Sequence, residues 1–473
     1  MIDGSGAAGQ IMDVAIQADT IAAVGDLSDA IGKEEIQGAG LELSPGFIDT
    51  HSHHDRGLLE NPDALAAISQ GITTIVVGQD GGSQWPLKDF FQSLQTNPTS
   101  VNVASYSGHN TLRDAVLGGN FKRKATQAEI DSMKALLQTD MEAGAIGLST
   151  GLEYDPGIYS ARDEVLQLAN VLPQFNGRYI SHLRSEDRFF WDALHEIITI
   201  GQETKVPVQV SHMKLAMRSL WGKADSALQI LNEAREQGIN ISADVYPYPY
   251  WSSTITVLFP DRNFTDEREA AFILKEVTTP EDIIFSNHEP NPEYNGKSLA
   301  DVAMLLKLSP EKTLIKLIQD LERCQKTNPD CGSSIVATSM TEPDIQKIMQ
   351  WPNTSICSDG ASSGRHPRGY GAFTRVLNKY VRNDSVLSLE QAIHKMTTLS
   401  ANQMNIQKRG AIKPGYYADL VLFNATTVSD QSTIQQPQQI STGIQRVWVN
   451  GQTVLVDGKV TGKRSGRVIR QGN

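Results

Sequence analysis

The sequence is poor in cysteine, and nowhere does it contain a long apolar run. Its three cysteines, Cys324, Cys331 and Cys357, are an odd number without a Cys-x-x-Cys pair. They predict no disulfide framework, and we do not expect a bridge between Cys324 and Cys331. No segment approaches the roughly 20 apolar residues that a membrane-spanning helix needs. These absences argue against a small disulfide-stabilised domain and against an integral membrane protein.

Acidic residues outnumber basic ones. The sequence has 54 aspartates and glutamates and 42 lysines and arginines, for a net charge of −12. A surface of that sign argues against nucleic acid and anionic membranes as partners. The mean hydropathy of −0.29 and the 40% of hydrophobic residues predict a soluble globular protein with a sizeable core. The oligomeric state is not predicted by these features.

The first ten residues, "MIDGSGAAGQ", lack the charged segment and the apolar segment of a signal peptide. They begin on a glycine-rich turn, as though a preceding strand had been removed. Both cytoplasmic and periplasmic locations therefore stay open.

Short apolar runs alternate with helix-like segments through most of the chain, which predicts a parallel α/β fold. The helix-like segments include 126–143, 161–173, 189–203 and 223–237. The runs are "PGFIDTH", "TTIVVG", "VNVAS", "IGLST", "RYISHLR", "PVQVSHMK", "INISADVYPY" and "TSICSDG". Eight such strands are enough to close a (β/α)8 TIM-type barrel.

Both ends of the chain have β character instead. Residues 11–44 show short strand-like runs, and residues 418–459 alternate apolar and polar positions around a hairpin signal at Asn450-Gly451. We take the two ends as residues 1–44 and 408–473. We predict that these ends form one small β-sandwich domain, while residues 45–407 form the barrel. The segment around 285–340 exceeds an ordinary connection and predicts a partly helical insertion.

The run "PGFIDTHSHHD" at 45–55 places three histidines directly after an apolar strand start. In a strand, His51, His53 and Asp55 share one face, whereas His54 points to the other. Two histidines two residues apart can bind one metal ion, and imidazole geometry suits zinc. We therefore predict His51 and His53 as ligands, with Asp55 as a carboxylate that orients one of them.

Further strands end in residues that commonly bind metals: Asp80, His182, His212 and Asp359. In a barrel these strand ends converge on one mouth. Together with His51 and His53 they can hold one or two divalent ions. A metal-bound hydroxide could then attack a carbonyl, and Asp359 could take and return the proton.

Cationic and hydroxyl side chains surround this predicted centre. Arg184 follows His182 by two residues and Lys214 follows His212 by two, so each points the same way as its histidine in an extended strand. Nearby segments supply Tyr246, Ser252 and Arg368. Such groups predict a small anionic substrate that carries a carboxylate.

The sequence resembles the D-aminoacylase (N-acyl-D-amino-acid deacylase) family of the amidohydrolase superfamily along nearly its whole length. The motifs that carry the resemblance are "PGFIDTHSHHD", "GITTIVVGQDG", "GAIGLSTGLEYDPG", "ISHLRSE", "VSHMK", "DVYPY", "SDG", "HPRGYGAFTRVL" and "GAIKPGYYADLVLFN". The resemblance implies a zinc-bearing barrel that hydrolyses N-acyl-D-amino acids or D-terminal dipeptides. It also implies metal ligands at His51, His53, His182, His212 and Asp359. Substrate-carboxylate contacts are implied at Lys214, Tyr246, Ser252 and Arg368, and Tyr154 matches a tyrosine near the scissile carbonyl.

One segment departs from the family pattern. Family members usually have a cysteine ligand in "GNCG", whereas this sequence reads "GQDG", with Asp80 at that position. A carboxylate is a harder ligand than a thiolate, so Mn²⁺, Co²⁺ or Fe²⁺ could replace Zn²⁺, and Asp80 could bridge two ions. Two other functions stay open: a cyclic-amide hydrolase similar to dihydroorotase or hydantoinase, and a non-catalytic binding protein with this fold.

Overall fold

A computed structural model describes residues 1–471 of the chain. Its strands are β1 Asp13–Gln17, β2 Thr20–Gly25, β3 Glu42–Pro45, β4 Phe47–Asp49, β5 Ile72–Val77, β6 Asn102–Ser105, β7 Ser107–Gly108, β8 Gly147–Gly151, β9 Arg178–His182, β10 Val208–Val210, β11 Ile241–Val245, β12 Tyr250–Thr254, β13 Ile284–His288, β14 Ser333–Thr338, β15 Thr354–Ile356, β16 Leu420–Phe423, β17 Ile444–Val449, β18 Gln452–Val456 and β19 Lys459–Val460.

The α-helices are α1 Leu65–Ile68, α2 Leu87–Thr96, α3 His109–Leu117, α4 Gln127–Ala143, α5 Arg162–Ala169, α6 Phe190–Thr204, α7 Ala224–Glu236, α8 Glu267–Phe272, α9 Leu299–Leu306, α10 Pro310–Gln325, α11 Glu342–Gln350, α12 Arg368–Arg375, α13 Leu389–Met396 and α14 Thr398–Met404. None of the helices within residues 1–471 is long and apolar enough to cross a membrane.

The parallel strands confirm the predicted α/β fold. They form a three-stranded sheet in the order β4-β5-β6 and a six-stranded sheet in the order β15-β11-β10-β9-β8-β7. Tyr106 alone separates β6 from β7, and the amide of Ile146, just before β8, donates to the Ser105 carbonyl. The carboxyl ends of these strands therefore lie along one continuous edge.

Backbone hydrogen bonds also join the segments that follow the first and last parallel strands. The Asp359 amide donates to the His51 carbonyl at 2.8 Å, and the His53 amide donates to the Gly360 carbonyl at 2.8 Å. Residues after β15 are thereby held beside residues after β4, although about 300 positions separate them in the chain.

Helix α4, which precedes β8, shows why the segments between strands form helices as the sequence predicts. At its start, Thr126 and Glu129 form a reciprocal capping box, and Gly144 ends the helix in the left-handed conformation. Its apolar positions recur at helical spacing and lie buried against the sheet. The predicted spans 126–143, 189–203 and 223–237 match α4, α6 and α7 to within one or two residues.

An antiparallel sheet combines both ends of the chain in the order β19-β18-β17-β16-β3. Strand β3 pairs with β16 along Glu42–Pro45, and β17 turns into β18 at Asn450-Gly451. Both turn residues have positive φ, 47° and 75°, as a type I′ hairpin requires. Strands β1 and β2 form a separate two-stranded ribbon.

A lobe spanning residues 250–338 has its own hydrophobic core around Phe285, Leu317 and Ile335. Its antiparallel sheet has the order β12-β14-β13, and helices α8 to α10 pack with it. The sequence predicted an insertion from about 285, but the lobe starts with β12 at Tyr250. That strand pairs with β14, a contact across some 80 residues that local sequence patterns do not reveal.

Cys324 and Cys331 form a disulfide within this lobe, which corrects the expectation that they do not pair. The chain turns sharply after α10, because the amides of Asn328 and Cys331 donate to the carbonyls of Cys324 and Asn328, respectively. These turns bring the two Cα atoms to 6.0 Å, a separation that a disulfide can span. Cys357 is buried and unpaired.

Candidate metal centre and substrate cavity

Three residues that follow parallel strands adopt a backbone conformation that residues other than glycine rarely adopt. Asp80, His212 and Asp359 have φ values of 54°, 32° and 48°. Left-handed backbone at a residue other than glycine costs of order 1–3 kcal/mol and persists only where the surroundings impose it. Such conformations concentrate at functional sites, and here they direct three titratable side chains toward one point.

These side chains meet the two histidines that follow β4. The Asp80 carboxylate lies 3.3 Å from His51 Nε2, 3.3 Å from His53 Nε2 and 3.2 Å from His212 Nε2. Asp359 Oδ1 lies 3.6 Å from His51 Nε2 and 3.3 Å from His53 Nε2. The structure therefore brings together five of the six predicted ligands around Asp80.

A divalent cation fits the chemistry of this group. Donor atoms of His51, Asp80, His212 and Asp359 lie within 4.8 Å of one another. Among residues 1–471, the buried atoms His51 Nε2 and Asp359 Oδ1 have no hydrogen-bond partner. Unsatisfied buried polar atoms are costly, and coordination of an ion by nitrogen and oxygen donors would satisfy them.

The sixth predicted ligand, His182, lies beside a second group of donors. Its Nδ1 is 3.1 Å from His212 Nε2, and its Nε2 is 3.1 Å from Glu153 Oε2. Donor atoms of His182, Glu186 and His212 also lie within 4.8 Å of one another. His182 is not among the histidines that contact Asp80, which are His51, His53 and His212.

Glu153 and Glu186 are residues that the sequence reasoning missed. Glu186 accepts from Lys214 Nζ at 2.7 and 2.9 Å, and Glu153 Oε1 accepts from the Glu186 amide at 2.7 Å. Both follow strands, in "GLEY" and "SHLRSE", but in loops rather than at strand ends. The only available signal was their presence in segments that also contain predicted site residues.

The electrostatics of the centre favour positive charge. Burial would raise the pKa of Asp80, but the charges of His51 and His212 hold it well below its usual range. Burial and Lys214 would lower the pKa of His212, yet Asp80 and Glu186 raise it to about 10. The carboxylates thus stabilise a cationic species between them, whether a proton or a metal ion.

His54 and Asp55 lie outside both donor groups. Burial, followed by the charge of His53, lowers the pKa of His54 to about 4, so it is neutral at pH 7. Asp55 accepts from Gln84 Nε2 at 3.3 Å. The expectation that Asp55 orients a histidine is therefore not met.

Asp244, near the end of β11, lies beside His51 and His212 instead. Its carboxylate accepts from the His212 amide and from Gln209 Nε2, both at 2.5 Å. It also lies 3.9 Å from His51 Nδ1. Asp244 therefore holds the strained backbone of His212 in place and places negative charge behind His51.

A cavity opens beside the centre and includes most of the predicted substrate contacts. It is lined by Tyr154, Arg184, Lys214, Ser252, Asp359 and Arg368, together with His182 and His212. Tyr246 lies next to it, with its ring 4.8 Å from the Arg368 guanidinium carbon. The Tyr154 ring lies 4.4 Å from that of His182. Burial, followed by the charge of Asp80, raises the pKa of Tyr154 well above 10, so its hydroxyl stays protonated.

The three cationic side chains of the cavity differ in how fully they are paired. Arg184 makes a bidentate contact with Glu196, at 2.8 Å for both nitrogens, and donates to the Ser160 carbonyl. Lys214 Nζ contacts both oxygens of Glu186 and lies 2.6 Å from His212 Nδ1. Arg368 Nη1 lies 2.7 Å from Asp359 Oδ2, and within residues 1–471 its guanidinium is not bound to a second carboxylate.

Comparison with known proteins agrees with this geometry. Residues 338–455 match the model of the family described as "Amidohydrolase family". The chain is 34% identical to the D-aminoacylase of Alcaligenes xylosoxydans xylosoxydans, over 99% of this chain and 96% of that protein. It is 35% identical to the N-acyl-D-aspartate deacylase of the same organism, over 100% of this chain and 94% of that protein.

A solved structure shares the same architecture. The N-acyl-D-glutamate deacylase of Bordetella bronchiseptica, complexed with zinc and a phosphonate inhibitor, superposes with a TM-score of 0.88. It is 33% identical and covers 99% of this chain and 97% of that chain. Identities of this size over nearly the full length show that the chain belongs to the D-aminoacylase family of the amidohydrolases.

Proposed function

We propose that the protein is a metal-dependent hydrolase that cleaves the amide bond of N-acyl-D-amino acids. The observation that carries the proposal is the cluster around Asp80, in which buried histidines and carboxylates adjoin a cavity containing a cation with free donors. Full-length similarity to enzymes named D-aminoacylase and N-acyl-D-aspartate deacylase supports the same reaction.

We further propose that the parallel strands form a (β/α)8 barrel. Supporting this, hydrogen bonds connect the residues after β15 to those after β4, and Ile146 connects the two parallel sheets. The domain division is part of the proposal: residues 45–407 would be the barrel, and residues 1–44 and 408–473 would be the small β-sandwich. Metal ligands on a barrel are expected at the carboxyl ends of its strands, and the proposed set has that position.

His51, His53, Asp80, His212 and Asp359 would hold one ion, and His182, Glu186 and His212 would contribute to a second. Zn²⁺ is the first choice, because nitrogen donors predominate and a zinc complex is known for the glutamate deacylase. Mn²⁺, Co²⁺ and Fe²⁺ are alternatives, since Asp80 supplies a hard oxygen ligand. When bound, such an ion polarises a carbonyl group and makes water a stronger nucleophile at neutral pH.

Asp359 would move the proton in the reaction. Arg368 fixes its Oδ2, whereas its Oδ1 faces the cluster without a hydrogen-bond partner among residues 1–471. Burial would raise the pKa of Asp359, but Arg368 and then His212 lower it, so the group is a carboxylate. It would accept a proton from the attacking water and return it to the amide nitrogen as the C–N bond breaks. The products are a carboxylate and a free D-amino acid.

Arg368 would bind the substrate carboxylate, because its guanidinium has hydrogen-bond donors that are not engaged. The ring of Tyr246 packs against this guanidinium and orients it. Lys214, Tyr246 and Ser252 would complete that contact, and the neutral Tyr154 hydroxyl would donate to the oxygen of the scissile carbonyl. Arg184, predicted as a further contact, would instead have a structural role, because Glu196 already balances its charge.

A substrate screen tests the proposal. The screen would compare N-acetyl-D- and N-acetyl-L-amino acids and D- and L-terminal dipeptides, with dihydroorotate and hydantoin as cyclic controls. We expect hydrolysis of D-substrates with a free carboxylate, loss of activity on chelation and recovery on adding metal. Turnover of cyclic amides alone, or full activity in a metal-free preparation, would contradict it.

A further inference from the structure

Part of the lining of the substrate cavity is apolar, although the lining is also rich in charged side chains. Ile158 comes from the loop after β8 and Phe189 from the loop after β9. The lobe contributes the rest of this apolar part. Together these residues form what we call the apolar wall, which consists of Ile158, Phe189, Trp251, Val257, Leu258 and Val277.

Phe189 is unusual within this wall because 62% of its surface is exposed. A large aromatic side chain left in solvent at the edge of a cavity is an apolar surface that a ligand can cover. Phe189 lines the same cavity as Val257 and Leu258 of the lobe, so an apolar group bound there has surface on both parts of the chain to cover.

Most of the positive charge in the cavity lining is already paired with carboxylates. The lining contains the carboxylates Glu153, Glu186, Asp187 and Asp359, against the cationic side chains Arg184, Lys214 and Arg368. Arg184 and Lys214 each already contact both oxygens of a carboxylate. Within residues 1–471, Arg368 is the lining cation whose remaining nitrogens make no hydrogen bond.

If Arg368 binds the α-carboxylate, a second carboxylate on the substrate would find no cation with free donors. It would also enter a cavity that four carboxyl side chains line, next to apolar side chains that cannot solvate it. Removing a charge from water without a partner is strongly unfavourable. Sequence identity does not decide this point, because the D-aminoacylase and the N-acyl-D-aspartate deacylase are almost equally similar to this chain.

We infer that the enzyme is selective for monoanionic N-acyl-D-amino acids, with an uncharged apolar group held against the apolar wall, and that it discriminates against N-acyl-D-aspartate and N-acyl-D-glutamate. The inference rests on the proposed function and specifies its substrate class. The group at the wall can be the amino-acid side chain or the acyl chain, since both are apolar substituents next to the same amide bond.

Isosteric substrate pairs test the discrimination. The value of kcat/KM is compared for N-acetyl-D-glutamine and N-acetyl-D-glutamate, which differ in charge but hardly in shape, and for the asparagine and aspartate pair. We expect the neutral member of each pair to be favoured by at least roughly 100-fold, the order of discrimination that an apolar pocket achieves against a more polar isostere. A ratio below threefold, or a preference for the acid, would overturn the inference while leaving the proposed function intact.

Two substrate series identify the group at the wall. One lengthens the side chain at constant acetyl, from D-alanine to D-leucine and D-phenylalanine, and the other lengthens the acyl chain at constant D-alanine. We expect the kcat/KM of the wild type to rise at least tenfold along one of the series. In the Leu258→Ala variant this rise should be absent. Flat responses in both series would show that the wall does not contact the substrate. Absence of turnover for every D-substrate would refute the proposed function itself.

A new cation in the wall gives a complementary test. Val257→Lys supplies the missing partner and should raise the glutamate-to-glutamine ratio of kcat/KM at least tenfold. Thr254→Lys is the matched control, because Thr254 lies on the same segment but is exposed and does not line the cavity. An unchanged ratio in a folded Val257→Lys, shown by wild-type circular dichroism, or an equal rise in Thr254→Lys, would count against a charge-based selection.

Discussion

Replacement of Asp80 tests the metal centre most directly, because three histidines meet at its carboxylate. Its oxygens lie 3.2–3.3 Å from the Nε2 atoms of His51, His53 and His212. Asp80→Ala removes both oxygens and the negative charge that favours a cation there. If Asp80 bridges two ions, each of them loses a ligand. We expect the protein to lose at least one metal equivalent and nearly all turnover.

The magnitude follows from the ligand count. Loss of one charged ligand of three or four should weaken binding by about 10³-fold, which corresponds to about 4 kcal/mol. Metal content after dialysis is measured by elemental analysis, and affinity is measured by titrating Zn²⁺, Mn²⁺ and Co²⁺ into chelated protein. In the wild type, Mn²⁺ or Co²⁺ should restore activity, because an oxygen ligand discriminates less among these ions than a thiolate does.

Two further substitutions separate ligation from a general effect on the site. Asp80→Cys should retain Zn²⁺ and respond more weakly to Mn²⁺, since a thiolate prefers softer ions. Asp55→Asn is the control, because Asp55 is a buried neighbour that contacts Gln84 rather than a predicted ligand. Full metal occupancy in Asp80→Ala would refute the reasoning, and so would equal losses in Asp80→Ala and Asp55→Asn.

Three other outcomes are expected. Asp359→Asn should lower kcat by at least about 10³-fold, because the reaction needs a group that both accepts and returns a proton, and a kcat within tenfold of wild type would reject that role. Arg368→Met should weaken binding of substrates with a free carboxylate by about 2–4 kcal/mol, as measured by KM or inhibitor affinity, and an equal loss for the amino-acid amides would make Arg368 structural. Cys324→Ser should destabilise the lobe by about 2–3 kcal/mol through the loss of a short closed loop, with metal content unchanged, and a thermal unfolding profile identical to wild type would show that the disulfide contributes nothing.

Much of the fold could be predicted because its signals are local. Apolar strands bounded by turns and helices with periodic apolar faces produce the alternation of a parallel α/β fold, and the helices occur where that pattern places them. The proximity of His51, Asp80, His212 and Asp359 was predictable for a related reason. Each side chain follows a parallel strand directly, and the carboxyl ends of such strands share one edge.

The parts that were missed depend on contacts across long stretches of chain. Strand β12 pairs with β14, so the lobe begins earlier than its composition suggests. The pairing of Cys324 with Cys331 depends on a turn after α10 that the residue spacing alone does not determine. Glu153 and Glu186 come from loops, whose side-chain directions follow from packing rather than from strand alternation.

The sequence by itself determined which chemistry is available: histidines and carboxylates at strand ends, an aspartate where relatives have cysteine, and an excess of acidic residues. These are matters of residue type and local spacing, which a chain carries before it folds. Only the tertiary structure decided how those groups are paired. In the folded protein Arg184 pairs with Glu196 and Lys214 pairs with Glu186. Arg368 keeps free donors. Asp244, rather than Asp55, lies close to His51. Charge pairing depends on distances of a few ångströms between distant segments, and those distances exist only in the folded protein.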